Sequence, residues 1–203
     1  MKGLIRVILL VSMLSGCAAD SFAQPNDSTR SRRWYVPHFI PVQFAGNIGF
    51  LSAGIGYSTR VHNYHVSLLY GYVPKSMAHT YIHTIALKNT FPITRYALKN
   101  NQILVPYVGL GASVELSGNS FFRQPARFPE SYYDFPKNIH ALVYVGAKVQ
   151  HLFQDPAIGI RGVEFFGEAG TIDLYIWYKT MSQEIKLNEI FTLALGANLL
   201  LSR

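Results

Sequence analysis

Hydrophobic and polar residues alternate with a period of two over most of the chain. Between Val105 and Leu116, Val108, Leu110, Ala112, Val114 and Leu116 share one face, and Tyr107, Gly109, Gly111, Ser113 and Glu115 share the other. Ala141–Gln150 sets Ala141, Val143, Val145, Ala147 and Val149 against Tyr144, Gly146, Lys148 and Gln150. The same division recurs over 51–58, 64–72 and 191–199. Strict alternation is the signature of strands whose two faces meet different surroundings. It predicts strands over approximately 36–45, 48–59, 63–73, 81–92, 103–117, 139–153, 160–171 and 188–202. Pro37 and Pro41 weaken the first, because proline cannot donate to a ladder.

A soluble sandwich alternates too. Three features favour a transmembrane barrel. The polar faces are rich in Gly and Ser and poor in the Lys and Glu that a sheet shows to water. The strands are long, about 10 to 15 residues, as a tilted spanning strand requires. Tyr57, Tyr64, Tyr70, Tyr72, Tyr81 and Phe91 gather near strand ends, like the aromatic girdles of such barrels. The expected fold class is therefore all-β: an eight-stranded antiparallel transmembrane up-and-down β-barrel over 36–203. Eight is the smallest even number that closes a bacterial barrel. With both termini at one end, the two longest links, 117–138 and 172–187, fall at the other.

The N-terminus strengthens this reading. Lys2 and Arg6 precede an apolar run, Val7–Leu14, too short to span a bilayer as a helix. Residues 1–23 read as a signal peptide. Ser21-Phe22-Ala23 before Gln24 fits ordinary signal peptidase, while Leu14-Ser15-Gly16-Cys17 fits a lipobox that would make Cys17 a lipidated first residue; both stay open. The polar stretch 24–35 reads as a flexible lead-in. Beyond the signal no uninterrupted apolar run reaches transmembrane-helix length.

Composition agrees. The 203-residue chain is 49% hydrophobic, 14% aromatic and only 14% charged, which excludes a disordered protein. One cysteine excludes a disulfide framework and a Cys-rich zinc module. The formal charge of +7 comes without a basic stripe or a nucleic-acid motif, so it points to a membrane surface and to no nucleic acid.

The glycine-alternated strands NIGFLSAGIGYS (47–58) and VPYVGLGASVEL (105–116) resemble those of the small eight-stranded bacterial outer-membrane barrels, the class of outer membrane protein A-like barrels and lipid A deacylases. The resemblance covers about 36–203 and lies in pattern, not in a diagnostic motif. It implies a cell outer-membrane location and, as partners, the barrel insertion machinery and outer-membrane lipids including lipopolysaccharide. Many such barrels end in an aromatic residue; this chain ends Leu199-Leu200-Leu201-Ser202-Arg203.

Candidate chemistry is sparse. Lys88, Glu115, Lys148, Glu164 and Glu168 fall on inward faces. Charges inside a narrow barrel must pair, so they are expected to form a lumen ion-pair network that plugs it. Glu164 and Glu168 share a face with Phe166 between them, so an acid/base or ion-path role stands beside the structural one. Seven histidines make no metal-ligand pattern, and no cofactor or metal is expected. Lipid A deacylase barrels carry a His-x-Ser pair on the penultimate strand; here His65-Val66-Ser67 lies on the third, and the penultimate strand has neither residue.

The link SFFRQPARFPESYYDFP (120–136) is aromatic and basic. Arg123, Arg127, Tyr132 and Tyr133 are candidate contact residues, the arginines for lipopolysaccharide phosphates. Trp177 in Leu174–Tyr178 reads as an interfacial anchor or a binding patch. The expectation is a non-enzymatic outer-membrane barrel with a plugged lumen and a structural or adhesive role through its outer loops, its external ligand unknown. A lipid A-modifying hydrolase and a narrow small-solute pore are the alternatives.

Overall fold

The computed structural model describes residues 35–59, 64–98, 102–117, 138–153, 159–181 and 186–202. The segment 1–23 that reads as a signal peptide, Cys17, nearly all of the expected lead-in, and Arg123, Arg127, Tyr132 and Tyr133 lie outside them.

Among the described residues nine strands form one antiparallel sheet: β1 (Phe39–Ala45), β2 (Leu51–Ser58), β3 (His65–Val73), β4 (Ile82–Pro92), β5 (Tyr96–Ala97), β6 (Gln102–Ser117), β7 (Ile139–Leu152), β8 (Ile160–Ile172) and β9 (Thr192–Leu201). β1 pairs with β9, Phe39 opposite Leu200 through Ala45 opposite Ala194, and β4 pairs directly with β6. The sheet thereby closes as an eight-stranded barrel, with β5 a two-residue extension. Closure removes both sheet edges, which would otherwise present unpaired backbone groups.

Strand lengths depart from expectation on one side. β6 runs for 16 residues but β1 for only seven, starting at Phe39 rather than at 36. Pro41 does not exclude β1 from the ladder. Its row faces β9 continuously, and the ladder to β2 skips only Ile40 and Pro41. β5 lies within what reads as a loop. Pro92 ends β4, and the pairing to β6 shifts by one residue between Pro92↔Tyr107 and Tyr96↔Leu104, so the same wall continues beyond an irregularity.

The link after β8 is also not a plain loop. It holds α2 (Asp173–Met181) and α3 (Leu187–Ile190), so the last strand starts at Thr192 rather than 188. Asp173 Oδ1 accepts the Leu174 N–H at 2.9 Å and starts the helix; Lys179 near its end suits the helix dipole. α1 (Lys75–Ala78) follows β3. Among the described residues no helix is long and apolar enough to cross a membrane, which does not bear on strands.

The barrel is inverted relative to a soluble protein. Val42, Leu51, Ile55, Leu68, Ile85, Leu87, Val108, Leu110, Val143, Val145, Phe165, Leu193 and Leu195 point outward and are exposed. Gln43, Ser52, Ser67, Thr84, Lys88, Ser113, Lys148, Glu164 and Asn198 point inward and are buried.

Aromatic rings fill much of the interior by lying over inward glycines on the next strand. Phe39 covers Gly56, Tyr107 covers Gly146, Tyr144 covers Gly109 and Phe166 covers Gly196; each is a cross-strand pair. A Cβ on Gly109 would sit 2.0 Å from Tyr144 Cζ, so only glycine admits that ring. This explains why the inward faces alternate Gly with large residues.

Candidate functional site

The inward register places the four expected lumen charges from β4, β7 and β8 in two hydrogen-bonded pairs. Lys88 on β4 reaches across the lumen to Glu168 on β8. Tyr107 Oη on β6 donates to the other Glu168 oxygen at 3.1 Å. Lys88 Nζ also donates to Gln43 Oε1 on β1 at 3.2 Å and lies 4.2 Å from the Tyr144 ring centre. Hydrogen bonds to one ammonium and one carboxylate thus tie together four strands that are not all neighbours, β1, β4, β6 and β8.

The second pair is closer to the end that carries the termini. Lys148 Nζ on β7 donates to Glu164 Oε2 on β8 at 3.0 Å, and Asn198 Nδ2 on β9 donates to the same oxygen at 3.0 Å. Lys148 also lies 3.3 Å from His65 Nε2 on β3. Both pairs are almost wholly buried. A charge left alone there would cost several kcal/mol, so the pairing and the extra donors are what make the ions tolerable.

Glu115 sits apart from both pairs. It lies near the far end of β6, opposite Thr84, where Ser117 Oγ donates to its Oε1 at 2.9 Å. Parity assigns its face correctly but not its height along the barrel. His65, Asn198, Gln43, Tyr107 and Tyr144 complete the cluster, and nothing local in the sequence marks them as members of it. Their common signal is inward parity on five different strands.

Among the described residues, cavities of about 40 and about 20 Å³ lie in the lumen. His65, Ser67, Lys148 and Phe166 border the larger; Asn47, Gly170 and Thr192 border the smaller. Gln43, Lys88 and Glu168 border both and stand between them. A cavity needs about 10–15 Å³ to hold one water, so these take a few waters and no solute of ordinary size.

The arrangement gives little to a hydrolase. His65 and Ser67 do face the lumen together. An ammonium only donates, so His65 Nε2 accepts from Lys148 and the ring proton falls on Nδ1, which is buried without a partner. That nitrogen is then not free to take a proton from a serine hydroxyl. Among the described residues no group of three or more His, Cys, Asp and Glu side chains is placed to hold a metal ion.

At the end away from the termini, Asp173 Oδ1 lies 3.5 Å from His140 Nδ1 on β7. Partial burial alone would raise the Asp173 pKa. The hydrogen bonds from His140 and from the backbone N–H groups of Ala141 and Leu174 outweigh it and hold the carboxyl below its ordinary value. Trp177, the one loop-contact candidate among the described residues, lies on α2 and is exposed. No family model, curated protein or solved structure matches the chain.

Proposed function

We propose that this protein is an outer-membrane β-barrel with a plugged lumen and a structural or surface-contact role. The observation that carries the reading is the inversion of the barrel, whose outer wall is apolar and whose ions are buried inside. In water that wall would be a very large exposed apolar patch; in a bilayer it faces its natural solvent. An exterior of this kind on an exported chain fits the cell outer membrane.

Two cavities of a few waters each, separated by the Lys88–Glu168 pair, favour a closed plug over a porin-like channel. The chemistry left for contact lies in the links away from the termini. Arg123 and Arg127 are proposed to meet phosphates of lipopolysaccharide, with Tyr132, Tyr133 and Trp177 supplying aromatic contact. The protein reconstituted in planar bilayers is expected to pass no steady current; stable unitary conductance would overturn the plug. The variant R123Q/R127Q is expected to fold but lose binding to lipopolysaccharide-containing vesicles. Unchanged binding would remove those loops from the contact role.

A further inference from the structure

The two lumen cavities lie toward opposite ends of the barrel. The larger borders Phe39 and His65, the first residues of β1 and β3, at the end that carries the termini. The smaller borders Asn47, in the β1–β2 connection, and Thr192, the first residue of β9, at the other end. His65, Asn47 and Thr192 are half-buried, so each cavity leads from a residue that still meets solvent to the buried Lys88–Glu168 pair.

A static plug gains by filling such space, because the lining of a void loses packing contacts. This lumen instead keeps water-sized space on both sides of one acid. Among the described residues Glu168 is the one carboxylate that borders both cavities. Its surroundings suit a group that gains and loses a proton. When Glu168 is ionised, Lys88 and Tyr107 Oη donate to its two oxygens. When it is neutral, Lys88 keeps the Gln43 Oε1 acceptor at 3.2 Å and the face of the Tyr144 ring, 4.2 Å from its centre. Both hold the ammonium in place while its counter-ion is discharged. Ionisable side chains facing a wet space within a membrane-spanning wall are the usual elements of a proton relay.

We propose that the lumen passes protons and no larger ion, with Glu168 as the relay between two short files of water. A water in one cavity gives a proton to the Glu168 carboxylate, the neutral carboxyl gives a proton to a water in the other, and the carboxylate is restored. One proton crosses, Lys88 stays an ammonium, and no co-reactant is needed. A hydrated ion has no such route, since Gln43, Lys88 and Glu168 stand between the cavities. Protons are so dilute at neutral pH that this flux lies far below a salt current in planar bilayers. The inference rests on the membrane reading and the plug above.

The full-length protein would be reconstituted in phosphatidylcholine vesicles holding the pH dye pyranine, with valinomycin and equal potassium on both sides to clear the membrane potential. After an external acid step, vesicles with the parent should acidify several-fold faster than protein-free vesicles. E168Q has no proton-accepting carboxylate and should return the rate to the protein-free one. K88M/E168L, which fills the same space without a buried charge, should do the same. Vesicle flotation and unboiled gel mobility check that each variant is inserted and folded. An inserted, folded parent no faster than lipid alone would overturn the relay and leave the membrane reading standing. A parent-like rate in either folded variant would also overturn it. With valinomycin left out, loss of an imposed potassium gradient through the parent would reveal an open water path and overturn it as well. A protein that does not float with the vesicles removes the membrane reading, and the relay falls with it.

Discussion

Replacing Gly109 by alanine puts a methyl group where the Tyr144 ring lies. The added Cβ would be 2.0 Å from Tyr144 Cζ and 2.4 Å from its hydroxyl, whereas carbon atoms pack at about 3.5–4.0 Å. The ring must move by well over an ångström. It is held by Thr90 Oγ1 at 2.9 Å and the Asn89 carbonyl at 3.0 Å, and neither bond survives such a shift. Overpacking costs about 1–3 kcal/mol and each lost hydrogen bond about 1 kcal/mol. G109A should therefore destabilise the barrel by about 3–5 kcal/mol, read as a lower urea midpoint in lipid vesicles. In a Y144A background the ring is gone. There the same change should be neutral or mildly stabilising, since alanine suits a strand better than glycine by about 0.5–1 kcal/mol. A G109A variant as stable as the parent, or one equally damaging with and without Tyr144, would refute the ring-over-glycine account of the lumen.

Further outcomes follow from the same geometry. K88M leaves Glu168 buried with Tyr107 as its remaining donor and should cost about 3–5 kcal/mol, whereas K88M/E168L should regain most of it; equal stability of single and double variants by urea titration would argue against the pair. The Asp173 carboxyl is held below its ordinary value, so its stabilisation of the α2 start is present above the usual carboxylate range and is lost as pH falls through the depressed value. Amide protection factors in α2, corrected for intrinsic exchange, should fall on acidification in the parent, and D173N should show the lower protection already at neutral pH; a pH response preserved in D173N would assign the titration elsewhere.

How much of this is legible in the sequence depends on what period-two parity can carry. Parity assigns faces, so the alternation alone puts Val108 and Leu110 outside and Tyr107 and Ser113 inside, where they stand. It does not assign register between strands. The ring-over-glycine pairs and the partnering of Lys88 with Glu168 depend on which residues stand opposite each other around a closed wall. For the same reason parity groups Glu115 with ions that lie at other heights in the barrel. Asn198 and His65 are visible as inward polar residues, but nothing local marks them as partners of Glu164 and Lys148. The run Leu174–Tyr178 is apolar without alternation, and a short apolar run carries no period that separates helix from loop or strand; an acidic residue directly before the run, Asp173, is the available clue. Among the described residues β5 pairs with β6 after a one-residue shift, which no local composition announces.

The central claim is that the apolar outer wall of this closed barrel lies in lipid. The most direct test is the migration of the carbonate-washed membrane fraction on a detergent gel, with and without boiling. A closed membrane barrel should stay in the pellet and, unboiled, should run apart from its boiled form. Release into the carbonate supernatant together with identical migration of the two samples would contradict it.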